Sequence, residues 1–154
     1  MSLADTRKAL EGTELEEAIF EMSHRGATVE EAAHAANIDP DEVAKTLSFL
    51  LDEEPILILV SGESKIDNRK YKDRFKKKAK MIPFDRVEEL IGHPVGGVNP
   101  FGIKSGVKVY LDESLKKHEV VYPSAGQAEY AIKAPLPLLE KLCGYECYID
   151  VTKK

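Results

Sequence analysis

The longest uninterrupted apolar run in this chain is five residues long, Ile-Leu-Ile-Leu-Val at positions 56–60, and it follows a polar turn at 52–55. A helix that spans a membrane needs about 20 apolar residues, so this run is too short for one. Short apolar runs bounded by turn residues are typical of buried strands. Together with Leu-Ser-Phe-Leu-Leu at 47–51, the run predicts a β-hairpin that leads into a buried strand.

The overall composition indicates one compact domain over residues 1–154. The 154 residues are 43% hydrophobic and 32% charged, which suits a soluble domain with a single core. The N-terminus lacks the basic and then apolar segments of a signal peptide. We therefore expect a cytoplasmic protein that does not associate with membranes.

Cysteine and histidine are too few and too scattered for a metal site. Two cysteines, Cys143 and Cys147, and four histidines offer neither a CxxC pair nor an HxxxH helix face. We expect no metal and no cofactor, and we interpret both cysteines as packing residues.

Helix and strand patterns alternate irregularly along the chain. The predicted helices are 28–36, 67–80, 85–91 and 137–142, and the predicted strands, besides the hairpin, are 15–22, 107–111, 119–122, 130–133 and 148–151. Several strands outside a simple helix–strand alternation favour an α+β fold with a mixed sheet or a partly closed barrel.

Residues 28–47 have the pattern of two helices joined by a short turn. A Thr-x-x-Glu capping box at 28–31 begins the first helix, and Asp-Pro at 39–40 caps the second. Such a pair is typical of helix-turn-helix DNA-binding regulators. The second helix would begin with three acidic residues, which repel phosphates, and its only cation is Lys45. A DNA-binding regulator is therefore a less favoured alternative.

Charge is strongly segregated along the sequence. Residues 1–64 hold 4 Lys and Arg against 15 Asp and Glu, whereas residues 65–80 hold 9 against 2. Asp67 is a suitable N-cap, and the four-residue spacing of Tyr71 and Phe75 predicts a helix with basic outer faces. A basic stripe can bind a polyanion, although a solvated helix face has the same pattern. The candidate RNA-binding residues are Lys76, Lys77, Lys78 and Lys80.

Asp112, His118 and Ser124 are the residue types of a catalytic triad and stand six positions apart each time. Triads are recognised by geometry and not by spacing. Ser124 also lacks the GxSxG elbow of serine hydrolases. A nucleophilic serine is therefore another less favoured alternative.

The segment at 92–102, Gly-His-Pro-Val-Gly-Gly-Val-Asn-Pro-Phe-Gly, holds four glycines and two prolines in eleven residues. We call it the glycine loop. It matches neither GxGxxG nor the GxxxxGK[ST] phosphate loop. One interpretation is a ligand-binding loop, because a backbone rich in glycine can approach a ligand closely. The other interpretation is a purely structural turn.

Five short strings follow one another in a specific order. They are Val-Ala-Lys-Thr-Leu at 43–47, the strand and Ser-Gly-Glu at 56–63, Ile-Asp at 66–67, the glycine loop, and Ser-Ala-Gly at 124–126. In this order they resemble the YbaK/prolyl-tRNA-synthetase-associated domain family over roughly residues 15–150. The Lys-Thr-Leu and Gly-Gly-x-x-Pro-x-Gly strings are the most specific of them.

The resemblance implies a freestanding trans-editing domain, an aminoacyl-tRNA deacylase that hydrolyses the ester bond of mischarged tRNA. It implies a mixed, partly barrel-like β-sheet surrounded by helices. The implied substrate is tRNA(Pro) carrying Cys or Ala, and prolyl-tRNA synthetase is a possible partner, with no DNA expected. The catalytic residues that it implies are Lys45, Gly96, Gly97 and Pro100. The substrate-binding residues that it implies are Thr46, Val98, Asn99, Ser124 and Gly126.

This sequence departs from one branch of the family after the Ser-Ala-Gly turn. That branch has an acidic residue seven positions after the serine, where this chain has Ala131, and the nearest acid is Glu129. The choice of amino acid stays open for this reason. A tRNA- or synthetase-binding module that has lost hydrolysis is the main alternative to an enzyme.

Overall fold

The computed structural model describes residues 2–21, 38–127 and 129–153. Within them the helices are α1 (Ser2–Leu10), α2 (Asn68–Phe75), α3 (Val87–Ile91) and α4 (Leu136–Leu142). The strands are β1 (Ile19–Glu21), β2 (Val43–Leu51), β3 (Glu54–Ser61), β4 (Lys65–Ile66), β5 (Lys108–Asp112), β6 (Val120–Pro123), β7 (Tyr130–Ile132), β8 (Ala134–Pro135), β9 (Tyr148–Ile149) and β10 (Thr152–Lys153). Short 3-10 helices span Glu16–Ala18, Pro40–Glu42, Phe84–Arg86 and Glu113–Lys117.

A mixed six-stranded sheet organises the fold, in the order β8-β6-β2-β3-β5-β9. The β2–β3 and β6–β8 pairs are antiparallel, whereas β2–β6, β3–β5 and β5–β9 are parallel. Two short antiparallel pairs, β1 with β7 and β4 with β10, accompany this sheet. The arrangement confirms the predicted α+β fold with a mixed, partly barrel-like sheet.

The predicted hairpin is confirmed as β2 and β3. Leu51 pairs with Glu54, so Asp52 and Glu53 form a two-residue loop, and both have positive φ, 52° and 68°. Positive φ at both positions is what a tight hairpin with the natural strand twist requires. The last four residues of the apolar run are 0% exposed, so the run is buried as predicted.

The apolar run faces two cores and not the single core expected. Leu57 and Leu59 belong to a first cluster, which also includes side chains of β5, β6 and α4. Ile58 and Val60 belong to a second cluster, which includes Tyr71 of α2. Successive side chains of a strand point to opposite faces. The run has no polar interruption because both faces of β3 are covered.

The predicted second helix of the helix-turn-helix is wrong beyond its first turn. Asp39 is the expected N-cap, and the structure adds a capping box there: Asp41 N–H donates to Asp39 Oδ1 at 2.9 Å and Asp39 N–H donates to Glu42 Oε1 at 3.0 Å. After this 3-10 turn the chain enters β2, whose pairing with β3 and β6 satisfies its backbone. Residues 43–51 are therefore a strand and not a recognition helix, so the helix-turn-helix on which the DNA-regulator interpretation depended is not formed there. The predicted helix 28–36 lies outside the described residues.

The basic helix is shorter than predicted. It has Asp67 as its cap, as expected, but it ends at Phe75, where Lys76 takes a φ of 64°. The following segment returns to the sheet, since Leu50 N–H donates to Lys80 O at 2.8 Å. A longer helix would bring like charges four residues apart together, at Lys72 with Lys76 and Lys76 with Lys80, and such pairs destabilise a helix. The candidate RNA-binding lysines therefore lie on an irregular segment after α2 and not on its surface.

The other predicted elements are present with shifted ends. The predicted strand 15–22 begins as a 3-10 helix and is a strand only in β1, and α3 begins after a similar 3-10 helix. No sequence pattern led us to predict α1. Among the described residues, the helices are all too short or too polar to cross a bilayer.

Candidate active site

The beginning of β2 and the end of β6 form one edge of the candidate site. The two strands are in parallel register up to Ala44 and Pro123. Lys45 follows the last residue of β2 that pairs with β6, and Ser124 comes directly after β6, so continuing the register by one residue places both at the same level and on the same face. Two residues that the resemblance implied are thus brought side by side by strand pairing.

The row of side chains continues beyond Ser124. Ser124 forms an isolated antiparallel bridge with Ala131, and Ala131 pairs with Phe20 of β1. The Phe20 ring meets the Tyr122 ring edge to face, with centroids 6.2 Å apart. We call Lys45, Ser124, Ala131 and Phe20 the side-chain row. The position at which the related branch has an acid is therefore next to Ser124, and here it is occupied by a methyl group.

Lys45 is half-buried, and within the described part of the chain its ammonium group has one hydrogen-bond partner. Its Nζ donates to Ser64 O at 2.7 Å. Burial lowers the pKa of Lys45, Asp41 opposes this effect, and the neighbouring Lys65 adds to it. An ammonium group has three protons to donate, so its bond to Ser64 uses one of three, as far as residues 2–21, 38–127 and 129–153 are concerned.

Thr46 points away from Lys45. It pairs with Leu59, which belongs to the first cluster, whereas Lys45 pairs with Val60 on the opposite face. The hydroxyl of Thr46 is buried and has no hydrogen-bond partner among the described residues. Strand alternation therefore separates Thr46 from the side-chain row.

The glycine loop touches the turn that follows Ser124. Gly126 N–H donates to Gly97 O at 3.0 Å. A Cβ added at Gly97 would lie 2.3 Å from Gly126 C and 2.7 Å from Gln127 N, so the two backbones pack without room for any side chain. Gly97 thus needs to be glycine for close packing, while Gly96 and Gly126 have positive φ of 93° and 95°.

Two buried polar side chains brace the glycine loop from inside. Asn99 is 0% exposed; its amide nitrogen donates to Thr6 Oγ1 and to Gly97 O, both at 3.1 Å, and its oxygen accepts from Phe101 N–H at 2.8 Å. His93, also 0% exposed, donates from Nε2 to Phe101 O at 2.6 Å. The loop is therefore fixed before any ligand arrives, and the polar atoms of Asn99 are used within the protein.

The remaining loop residues differ in exposure. Gly97 N–H donates to Pro94 O at 2.9 Å, so both polar backbone groups of Gly97 are already engaged. Pro100 is buried, Val98 packs partly buried on the first cluster, and Gly96 is exposed at the tip. The backbone of Gly96 is therefore the part of this loop best placed to meet a ligand.

The candidate RNA-binding lysines lie at the other end of β2. Lys77 Nζ is 3.3 Å from Asp52 Oδ1 and Lys80 Nζ is 3.7 Å from Glu53 Oε1, at the hairpin turn. With a rise of about 3.3 Å per strand residue, Leu51 at this end of β2 is roughly 20 Å from Lys45. The lysine segment, Lys76 to Lys80, is thus separate from the side-chain row.

The alternative triad is not assembled. Asp112 is 0% exposed, and its carboxylate accepts hydrogen bonds from the backbone of Ser114 and Val151 and from the hydroxyl of Thr152. His118 donates from Nε2 to Asp41 at 2.8 Å instead. Asp112 is therefore a structural brace, and the triad interpretation is wrong.

Two residues around Lys45 were not predicted from the sequence, Asp41 and Ser64. Ser64 acts through its backbone carbonyl, which every residue type has, so the sequence gives no sign of this role.

Cys143 is buried, and burial raises the pKa of its thiol to about 11, in line with a packing role. Within the described ranges, no three His, Cys, Asp or Glu side chains come together in a way that could hold a metal ion.

Comparison with known proteins finds a matching family and several relatives of this chain. The sequence profile of the aminoacyl-tRNA editing domain matches residues 24–142. The uncharacterised Bacillus subtilis protein YwhH is 37% identical over 154 residues, which cover 99% of this chain and 98% of YwhH. The proline–tRNA ligase of Syntrophus aciditrophicus is 28% identical over 107 residues, which cover 69% of this chain and 18% of the ligase.

A solved structure described as a candidate trans-editing enzyme for prolyl tRNA synthetase has the same fold. Its TM-score is 0.88 at 27% identity, with 99% of this chain and 98% of that chain covered. The region matched by the family profile includes Lys45, the glycine loop and the 124–126 turn. Editing domains of this kind act on aminoacyl-tRNA as deacylases. The profile match over most of the chain shows that the chain belongs to the aminoacyl-tRNA editing domain family.

Proposed function

We propose that this protein hydrolyses the ester bond of mischarged tRNA(Pro) carrying alanine or cysteine, and that it does so in trans. The observation that carries the proposal is the juxtaposition of Lys45, Ser124 and the Gly97–Gly126 backbone contact within an editing domain. The similarity to part of a proline–tRNA ligase supports tRNA(Pro) as the nucleic acid. Prolyl-tRNA synthetase is the partner that would release the mischarged product.

An aminoacyl ester is already activated, so the enzyme needs to position water and stabilise an oxyanion. We assign the oxyanion to backbone N–H groups at the exposed tip of the glycine loop, around Gly96, because those of Gly97 are engaged. Lys45 binds the terminal phosphate or another polar atom of the substrate through its remaining protons. No acyl-enzyme is required, so Ser124 is assigned to substrate binding and not to nucleophilic attack.

A small amino-acid side chain fits the residue types in the side-chain row. Ala131 is 3% exposed and lies beside Ser124, and the Phe20 and Tyr122 rings border the same row. The buried Ala131 brings no charge to the row, so an uncharged alanyl or cysteinyl group needs no charged partner there. The lack of a carboxylate there also leaves the substrate's amino group to be bound by other oxygens.

The lysine segment is assigned to the RNA backbone. Its distance from Lys45, roughly 20 Å by strand length, suits phosphates several nucleotides away from the reacting ester. Lysines bind phosphates without reading base sequence. Two of the four, Lys77 and Lys80, must exchange their carboxylate partners at the hairpin turn for phosphates.

The experiment that tests the function is a deacylation panel with tRNA(Pro) charged with alanine, cysteine or proline. We expect hydrolysis of the alanyl or cysteinyl ester, sparing of the prolyl ester, and loss of activity in Lys45→Ala. Enzyme-free reactions measure the spontaneous hydrolysis that is subtracted. Absence of turnover on all three substrates, with the protein folded, would refute the proposal.

One observation favours a second candidate, a binding module without hydrolysis. Ala131 stands where a related branch has an acid, so a group used in that branch is missing beside Ser124. This candidate predicts that mischarged tRNA or the synthetase binds at micromolar concentration or better while the ester lifetime stays at its spontaneous value. Binding and turnover measured on the same preparation separate the two functions.

A further inference from the structure

A carboxylate beside the site, Asp41, joins separate parts of the chain. Its Oδ1 accepts a hydrogen bond from Glu63 N–H at 3.0 Å, and its Oδ2 lies 2.9 Å from Lys117 Nζ and 2.8 Å from His118 Nε2. Its backbone carbonyl accepts from Gly62 N–H at 3.2 Å. The side chain is 13% exposed, so these contacts are largely shielded from water.

Asp41 is ionised in this setting. Burial works against the charged form, but hydrogen bonds from Lys117, His118 and Glu63 N–H outweigh burial and hold the pKa of Asp41 well below its usual range. A shielded carboxylate with several donors is costly to leave unpaired. The elements that supply those donors are therefore held in place around it.

The turn at 61–64 connects Asp41 to Lys45. Asp41 binds the two central residues of this turn, and the next residue, Ser64, presents the carbonyl that receives Lys45 Nζ at 2.7 Å. The first and last residues of the turn are joined by a backbone hydrogen bond of 3.1 Å and a hydroxyl pair at 2.6 Å. A shift of the central residues is therefore passed on to the Ser64 carbonyl.

We propose that Asp41 is a positioning residue for Lys45, acting through the 61–64 turn that holds the ammonium group. This role rests on the proposed function, in which Lys45 binds the substrate. Helix capping does not explain the contacts of Asp41, because Asp39 caps the 3-10 helix and the side-chain partners of Asp41 lie outside it. The negative charge of Asp41 and its hydrogen bonds to the turn both act on Lys45.

Asp41 also sets the charge balance around Lys45. Burial lowers the pKa of Lys45, Asp41 is the charge that opposes this effect, and Lys65 adds to it. Lys117 neutralises part of the Asp41 charge from its other side, and His118 Nε2 donates a hydrogen bond to the same carboxylate oxygen. Asp41→Asn removes the opposing charge and leaves the cations, so Lys45 should lose its proton at lower pH than in the wild type.

The test compares Asp41→Asn with Asp39→Asn. Both replace an aspartate by its amide, Asp39 at the cap of the 3-10 helix and Asp41 inside it, but only Asp41 contacts the 61–64 turn. The first measurement is the rate at which acetic anhydride modifies Lys45 as a function of pH, followed by mass spectrometry of the Lys45 peptide. The second is single-turnover deacylation of alanyl- and cysteinyl-tRNA(Pro), with circular dichroism to verify folding.

We expect Asp41→Asn to move the Lys45 titration to lower pH and to slow the hydrolytic step by about tenfold. Binding of uncharged tRNA(Pro) should weaken by less than the hydrolytic step slows, since Lys45 is at most one phosphate contact and the lysine segment is untouched. Asp39→Asn should match the wild type in both measurements. Asp41→Glu retains the charge but moves the carboxylate by one methylene, so its turnover should be intermediate.

An unchanged Lys45 titration in folded Asp41→Asn would overturn the inference. If Asp41→Asn does not fold, Asp41→Glu is the test of the positioning role. Turnover of Asp41→Glu equal to that of the wild type would then overturn that role. The titration needs no substrate, so it still tests the link between Asp41 and Lys45 if the wild type has no deacylase activity. In that case the proposed function fails and the structural link is judged separately.

Discussion

The close packing of Gly97 on Gly126 allows a sharp test, because alanine at position 97 adds one methyl group where the backbone leaves no space. Its Cβ would fall 2.3 Å from Gly126 C and 2.4 Å from Gly126 O. Both are backbone atoms, so no flexible side chain can move aside. The glycine loop and the 124–126 turn must therefore separate in Gly97→Ala.

The size of the effect follows from these distances. Ordinary van der Waals contact begins at 3.4 Å, so the two segments must part by about 1 Å. That movement breaks the 3.0 Å hydrogen bond from Gly126 N–H to Gly97 O. Breaking this bond costs about 1 kcal/mol and the strained packing about 1–3 kcal/mol, so the free energy of unfolding should fall by about 2–4 kcal/mol. A displacement of this size at the site should slow single-turnover deacylation by about 10- to 100-fold.

The assay pairs chemical denaturation with single-turnover deacylation of mischarged tRNA(Pro). Gly106→Ala is the matched control, because Gly106 also lies in a loop but has nothing within 4 Å of an added Cβ. Its φ of 91° makes alanine there cost about 1–2 kcal/mol through backbone strain. Turnover in the control should equal that of the wild type. Wild-type stability and turnover in Gly97→Ala would refute the assigned packing and, with it, the catalytic role of the loop.

Four further predictions concern single groups. Lys45→Ala should lower the single-turnover deacylation rate by about 100-fold while leaving the denaturation midpoint unchanged. Lys45→Arg should restore little of that rate, because the planar guanidinium group of arginine does not replace the compact ammonium group of lysine. Ser124→Ala should keep substantial turnover, and a trapped acyl-serine in the wild type would contradict this. Because burial lowers the pKa of His93, the folded state disfavours its protonation; stability should fall as pH drops below 6.5, and His93→Gln should remove this part of the pH dependence of unfolding. Replacing the four lysines of the lysine segment by Gln should make log Kd for tRNA depend less steeply on log salt. The slope should fall by about 0.7–0.9 for each phosphate that the variant no longer neutralises. An unchanged slope would mean that these lysines are only solvated and do not bind the RNA. These four are Lys76, Lys77, Lys78 and Lys80.

Local patterns predicted the parts of the fold that local chemistry decides. The run at 56–60 is a buried strand because five consecutive apolar residues suit a strand covered on both faces. Asp39 is the cap that its residue type and the following proline indicated. The strings around Lys45, the glycine loop and Ser124 indicated the family, and the profile match confirms that family.

What the sequence could not reveal depends on contacts between distant residues. The cap at Asp39 is followed by one 3-10 turn and not by a helix, because pairing with β3 and β6 outweighs local helix propensity. Residue spacing does not indicate that Asp41 meets His118, 77 positions away. The same holds for Gly97, whose need for glycine comes from Gly126 and not from its own φ.

The pairing of β2 with β6 implies an order of events when the chain folds. The β2–β3 hairpin closes through a two-residue loop, whereas Lys45 and Ser124 are 79 positions apart in the sequence. Closing a long loop costs more chain entropy than closing a short one, so the hairpin should form first and the parallel β2–β6 pair later. Pulsed hydrogen exchange during refolding should show protection of the hairpin amides before that of Gly126 N–H, and deacylase activity should return only with the latter. A chain interrupted between these two steps has its central strands but no means of editing.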